Sequence, residues 1–321
     1  MTLTYLPRLL CIGLATLFLV HLGLGMVVSA IAGPAVRLGE RIRPNLAARY
    51  LLALRMLPAA GSALIVLTVC LPSYLWLEPE APTERVGFGC LAAALLGVAM
   101  WSVSLARGLG VVAGSRRFLR NCQRAGRPGR AGAWIVDGAA PLLALGGIVR
   151  PRLVISRGVL AALSPEQLEA ALRHERAHWT SRDNLKRLCI LLTPGILPFA
   201  DCSRTVERGW RRFAEWAADD RAVAGSARRS LDLAAALVRV ARMNSDAAQF
   251  LPVLPLLGDA DQLAARVDRL LRAAPLGSPA PGPRPFVALS AALLTAGALA
   301  AAILQPAALY SVHVALEHLL G

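Results

Sequence analysis

The chain has 321 residues, of which 56 % are hydrophobic and only 17 % charged. That apolar excess, gathered into long runs, excludes an ordinary soluble protein of two domains. The net charge of +15 comes almost wholly from arginine, Lys186 being the sole lysine. Because the arginines flank the apolar runs and no nucleic-acid module is visible, the charge points to membrane orientation and no direct nucleic acid binding is expected.

In chain order, the first apolar run (about 9–32) is long enough to span a bilayer. Ser29-Ala30-Ile31-Ala32 mimics a signal-peptidase site. Cleavage there would leave Arg37, Arg41, Arg43, Arg49 and Arg55 outside the cell, whereas such segments stay inside. An uncleaved span with a short outer N-terminus is therefore expected. His21 within it reads as a packed neutral histidine, an intramembrane site being the alternative. The second run (56–77) ends in Tyr74 and Trp76, suited to the membrane interface. A short acidic stretch follows, then the third run (86–106). A basic segment (107–130) carries Arg107, Arg116, Arg117, Arg120, Arg124, Arg127 and Arg130 and reads as a cytoplasmic, lipid-facing collar.

Residues 131–284 contain no span and form the expected soluble domain. Strands are predicted at 133–136, 142–145 and 152–156. They either offer an open edge to an extended peptide or only pack the following helix. Ser164-Pro165-Glu166-Gln167 then gives a helix start: Ser as N-cap, Pro first, Gln at the capping-box position. Residues 188–199 are apolar but short and broken by Pro194 and Pro198, predicting a buried hairpin or a dip into the membrane interface. Helices are expected at 203–225, 231–243 and 261–271. A Pro/Gly-rich linker (274–285) leads to a fourth run (286–304) and a tail whose His313 and His318 are not counted as ligands. The domain reading is thus 1–106 with three spans, 107–130, 131–284, and 285–321 with the fourth span. The cysteines Cys11, Cys70, Cys90, Cys122, Cys189 and Cys202 show neither C-x-x-C nor zinc-ribbon spacing and read as reduced, mostly structural thiols.

The chemistry gathers at H-E-x-x-H: His174, Glu175 and His178. On a helix, i and i+4 share a face, so the two imidazoles can hold one Zn²⁺, with Glu175 beside them as general base toward the attacking water. A hydrolytic zinc keeps three protein ligands. Glu215 is the favoured third, because Asp219 follows it on the same face and can support a ligand histidine; Glu207, two turns earlier, is the competitor. Asp183 caps the motif helix or buttresses the site. Arg211 and Arg212 are in range by sequence to stabilise an oxyanion.

The chain resembles the integral-membrane metallopeptidases of the BlaR/MecR antirepressor family. The resemblance is carried by the four-span layout, G-I-V-R-P-R-L-V-I-S (147–156), L-S-P-E-Q-L-E-A-A-L-R-H-E-R-A-H (163–178) with Asp183, E-W-A-A-D (215–219) and L-A-A-R-V-D-R-L-L (263–271). It implies a mainly α membrane protein: four transmembrane helices, with a cytoplasmic α+β gluzincin-like zinc peptidase domain between spans three and four. It also implies a multi-pass protein of the cytoplasmic membrane. The implied substrate is a cytosolic repressor of winged-helix type, or the protein itself, with the lipid bilayer as the other partner. The family's external sensor has no counterpart after the fourth run. H-E-x-x-H is shared with HtpX-type membrane peptidases, so quality-control proteolysis is the alternative. A non-catalytic transmembrane signalling or scaffold protein is the other.

Overall fold

Uninterrupted apolar sequence builds the longest helices of the computed structural model, which describes residues 5–77, 86–129, 133–138, 141–195, 201–247 and 260–273. Helix α1 (Tyr5–Glu40) has 36 residues. Helix α2 (Pro44–Ile65) opens on proline, where the missing N–H is no loss. It runs on through a π-helical segment (Val66–Cys70) into α3 (Leu71–Leu77). Helix α4 (Phe88–Ala125) has 38 residues. These stretches make three helices long and apolar enough to cross a membrane and suggest a membrane protein. The linker and the expected fourth span (286–304) lie outside the described residues.

Small residues let the three apolar helices approach. Cys11, Ile12 and Ala15 of α1 pack with Cys70, Tyr74, Cys90, Ala93 and Ala94. A Cβ on Gly97 would stand 3.1 Å from the Leu14 carbonyl oxygen. Leu6, Leu10 and Met26 of α1 and Leu95, Leu96 and Leu105 of α4 stay exposed on the outside of the bundle. The described cysteines are free thiols: Cys11, Cys70, Cys90 and Cys122 are buried and Cys189 is exposed.

The C-terminal half of α1 and the N-terminal half of α2 make a platform for α8 (Asp201–Val223). Val28, Ala32 and Ala35 of α1, with Ala47, Leu51 and Leu54 of α2, enclose Val206, Trp210 and Phe213. Gly39 makes room for Phe213, whose ring would lie 2.7 Å from an added Cβ. Polar contacts lock the same interface: Arg212 pairs with Glu40 at 2.6 Å, and Arg221 donates to Asn45 Oδ1 at 3.0 Å.

Four short strands follow α4: β1 (Gly126–Pro128), β2 (Trp134–Val136), β3 (Leu143–Gly146) and β4 (Arg152–Ser156), in the order β1-β2-β4-β3. β2 and β4 are parallel; the two outer pairs are antiparallel. β2, β3 and β4 coincide with the predicted strands to within a residue. β1 was hidden in the arginine-rich segment, and its Pro128 is tolerated because the strand is at an edge. Helices α5 (Arg157–Ala162), α6 (Pro165–Ser181), α7 (Asp183–Leu192), α9 (Ala227–Ala247) and α10 (Ala260–Ala273) complete the domain. One apolar cluster joins Ala133 and Ile155 of the sheet region to Val159, Ala171 and Ala236. A second joins Ala170, Ala222, Leu233 and Leu270, so that α6, α8, α9 and α10 meet. Within 188–199, residues 188–192 form the last turn of α7, Thr193 to Gly195 leave the helix, and Leu188 and Leu192 pack over Gly108 of α4.

Candidate metal centre

The site is built on α6. Its start is fixed as the sequence foretells: Ser164 accepts from the Gln167 N–H and Gln167 accepts from the Ser164 N–H, a full capping box. Its end is set by Arg182, which adopts a left-handed conformation at φ 54°. That single residue ends α6 and starts α7 in a new direction, which returns Asp183 to His178.

His174 and His178, one turn apart, face each other edge to face with ring centroids 4.7 Å apart. Their Nε2 atoms lie 3.1 Å from one another. Glu215 on α8 brings Oε2 to 3.4 Å from His174 Nε2 and 3.5 Å from His178 Nε2. A tetrahedral zinc with bonds of about 2.0–2.1 Å needs donor separations of about 3.3 Å. The three donor atoms therefore fit a divalent ion at their centre, and the three residues form a possible metal site.

The outer imidazole nitrogens are also met. His178 Nδ1 is 2.8 Å from Asp183 Oδ2. His174 Nδ1 is 3.0 Å from Asp219 Oδ1, a charge contact that lies off the line of a regular hydrogen bond. The Asp183 hydrogen bond keeps His178 Nδ1 protonated and turns its Nε2 lone pair inward, and the Asp219 charge beside His174 Nδ1 favours the same tautomer there. Asp219 is fully buried and Asp183 nearly so.

Arg266 on α10 was not singled out as a site residue from sequence. Its guanidinium grips Asp219 twice, Nε to Oδ2 at 2.9 Å and Nη2 to Oδ1 at 2.7 Å, and places Nη1 3.1 Å from Glu215 Oε2. The signal was present: in L-A-A-R-V-D-R-L-L the arginine falls on the apolar stripe with Leu263, Val267 and Leu270, where a cation needs a buried partner. Arg211 and Arg212 are committed elsewhere, to Glu207 and to Glu40. Arg212 also lies over the Phe213 and Trp216 rings. Glu207, paired with Arg211, is not part of the donor group.

The electrostatics favour an added cation. Burial lowers both histidine pKa values, but the Asp219 and Glu215 contacts to His174 outweigh it, and that pKa is raised. For His178 burial is likewise outweighed, by Glu215 and Asp183, and the pKa stands at about 10. The metal-free site thus draws protons onto its imidazoles, positions a divalent ion would take over. Burial, reinforced by the Glu215 charge, pushes the Glu175 carboxyl up against the pull of the two histidines. A carboxyl raised in this way is suited to proton transfer near neutral pH.

Residues 144–251 match the model of peptidase family M48. The match supports a metallopeptidase, and it contains His174, Glu175, His178, Asp183, Glu215 and Asp219. Arg266 lies beyond its end. No curated protein and no solved structure matches the chain.

Proposed function

We propose that the chain is a membrane-bound zinc endopeptidase acting at the cytoplasmic face. The observation that carries the reading is the convergence, at tetrahedral spacing, of two Nε2 atoms from the helix that also bears Glu175 and one carboxylate oxygen from α8. Zinc, when bound, polarises the scissile carbonyl and lowers the pKa of an attacking water towards about 7. His174, His178 and Glu215 hold it. Asp183 and Asp219 keep the imidazoles in the right tautomer, and Arg266 offsets the charge of Asp219 and steadies Glu215. Glu175 takes the proton of the attacking water and delivers it to the leaving amine.

The resemblance to the BlaR/MecR-type peptidases supports regulatory proteolysis of a cytosolic repressor or of the chain itself. The arginines around 37–55 and 107–130 support cytoplasmic placement of the site. A non-catalytic signalling or scaffold role gives Glu175 nothing to do. The experiment is Glu175→Gln in purified full-length protein: zinc stays near one per chain while cleavage of an unfolded protein substrate drops by about 10²–10⁴-fold. Full cleavage by this variant would remove Glu175 as the base. The same variant used as a trap in cells separates the readings, a repressor or the chain itself marking the regulator and misfolded membrane proteins marking quality control.

A further inference from the structure

Arg55 is buried in α2; it feels the charge of Glu207, but no ion pair with a carboxylate is among its described contacts. Its three side-chain hydrogen bonds all go to backbone carbonyls at the end of α7. Nη2 donates to Ile190 O at 3.4 Å and to Thr193 O at 3.0 Å, and Nη1 donates to Pro194 O at 3.3 Å. The last carbonyls of a helix have no partner inside it, and a cation there is favoured by the helix dipole. Ile190 itself is buried in the cluster that holds Leu51 and Leu54, so α7 meets α2 through packing as well.

The other end of α7 is at the metal centre. Asp183 sits there against His178, and its second oxygen accepts from Lys186 at 2.9 Å. Asn184 donates to the carbonyls of Leu145 and Gly147 at 3.1 and 2.7 Å, pinning this end to the β3–β4 turn. The far end is seated by packing, Ile190 in the α2 cluster and Leu188 and Leu192 over Gly108 of α4, and packing alone leaves its carbonyls without a polar anchor. With Arg55 holding its end, the ten residues of α7 become a fixed rod between the second apolar helix and a ligand histidine.

We propose that Arg55 is a positioning residue for the metal centre: by clamping the C-terminus of α7 to α2, it fixes the direction in which Asp183 presents its carboxylate to His178. A shift of α2 is then felt at Asp183 through α7, besides the direct packing of α2 on α8, which bears Glu215. The inference rests on the metallopeptidase reading for its chemistry, but the clamp can be read independently of zinc.

The test uses the full chain in detergent or nanodiscs as wild type, R55M, R55K, D183N and R55M/D183N. Zinc affinity is measured by chelator competition, the visible spectrum is taken with Co²⁺ in place of zinc, and backbone hydrogen exchange is followed over 183–192 with α9 as the internal reference. R55M weakens zinc binding by roughly 10–100-fold, the range for losing an outer partner of a ligand histidine. It also changes the Co²⁺ spectrum as D183N does. The double variant binds no more weakly than D183N alone, since both changes act through one carboxylate. Exchange in 183–192 quickens in R55M while α9 is unchanged. R55K, which keeps the charge with fewer in-plane donors, falls between wild type and D183N. Multiplying losses in the double variant, or wild-type zinc affinity and exchange in R55M, would overturn the proposal. If R55M does not fold, wild-type behaviour of R55K in both measurements overturns it instead. If the wild type binds no zinc, the metallopeptidase reading fails, and exchange in 183–192 alone decides the clamp.

Discussion

His178 shows most directly how a single residue reports on the site. Its pKa stands at about 10 in the folded metal-free protein against 6.5 for the free side chain. A raised pKa means that the folded state binds the proton more tightly. Its stabilising contribution is complete below pH 6.5 and is lost as pH climbs through 10. On the proposed zinc reading, the ion competes with this proton for the imidazole, so its binding releases protons and strengthens with pH. We expect the melting temperature of chelator-treated protein to fall between pH 6.5 and 10, and the stabilisation added by zinc to grow over that interval; melting curves with and without zinc check both slopes. Arg266 gives a second expectation at this scale. Arg266→Met leaves Asp219 buried without its cation, a change that costs about 3–5 kcal/mol for a broken buried pair. Denaturant unfolding should show that loss and Arg266→Lys a smaller one. Equal stability of Arg266→Met and wild type would mean that Asp219 finds another partner.

Elements differ in how much of themselves they announce. α6 was legible from both ends of its chemistry, because a capping box and an i, i+4 histidine pair are local signals that tertiary packing does not alter. The Glu215–Asp219 turn was legible for the same reason, and Glu207 is set apart by its pairing with Arg211. β1 was not legible: three residues, two of them Arg and Pro, carry no alternation, and the strand exists because β2 offers it an edge. Arg266 and Arg55 were missed because their partners lie far away in the chain; a buried arginine shows its meaning only when the carboxylate or helix end it meets is in view. The junction between α6 and α7 hid its importance too, since Arg182 holds a backbone conformation that side chains other than glycine occupy at a cost of about 1–2 kcal/mol. Arg182→Gly should therefore leave stability unchanged or raise it by up to about 1 kcal/mol in thermal unfolding, with zinc binding intact. A marked loss would show that the arginine side chain, not the backbone turn, directs α7.

On the scale of the whole molecule, the apolar helices are more than an anchor. α1 and α2 enclose the buried face of α8, and α4 runs on beyond its apolar stretch to touch the sheet. The donor groups of the centre are thus split between a helix seated on the apolar pair and helices seated on one another. The tie between Arg212 and Glu40 joins the end of α1 to the helix that carries Glu215. Glu40 closes α1, and the last buried alanine of that helix, Ala35, comes five residues earlier. At 1.5 Å of rise per residue, Glu40 stands about 8 Å along the α1 axis from Ala35, which itself packs against α8, and Arg212 lies one turn from Glu215. Glu40 and Arg212 thus couple the end of the first apolar helix to the stretch of α8 that carries Glu215, so a displacement of one is transmitted to the other.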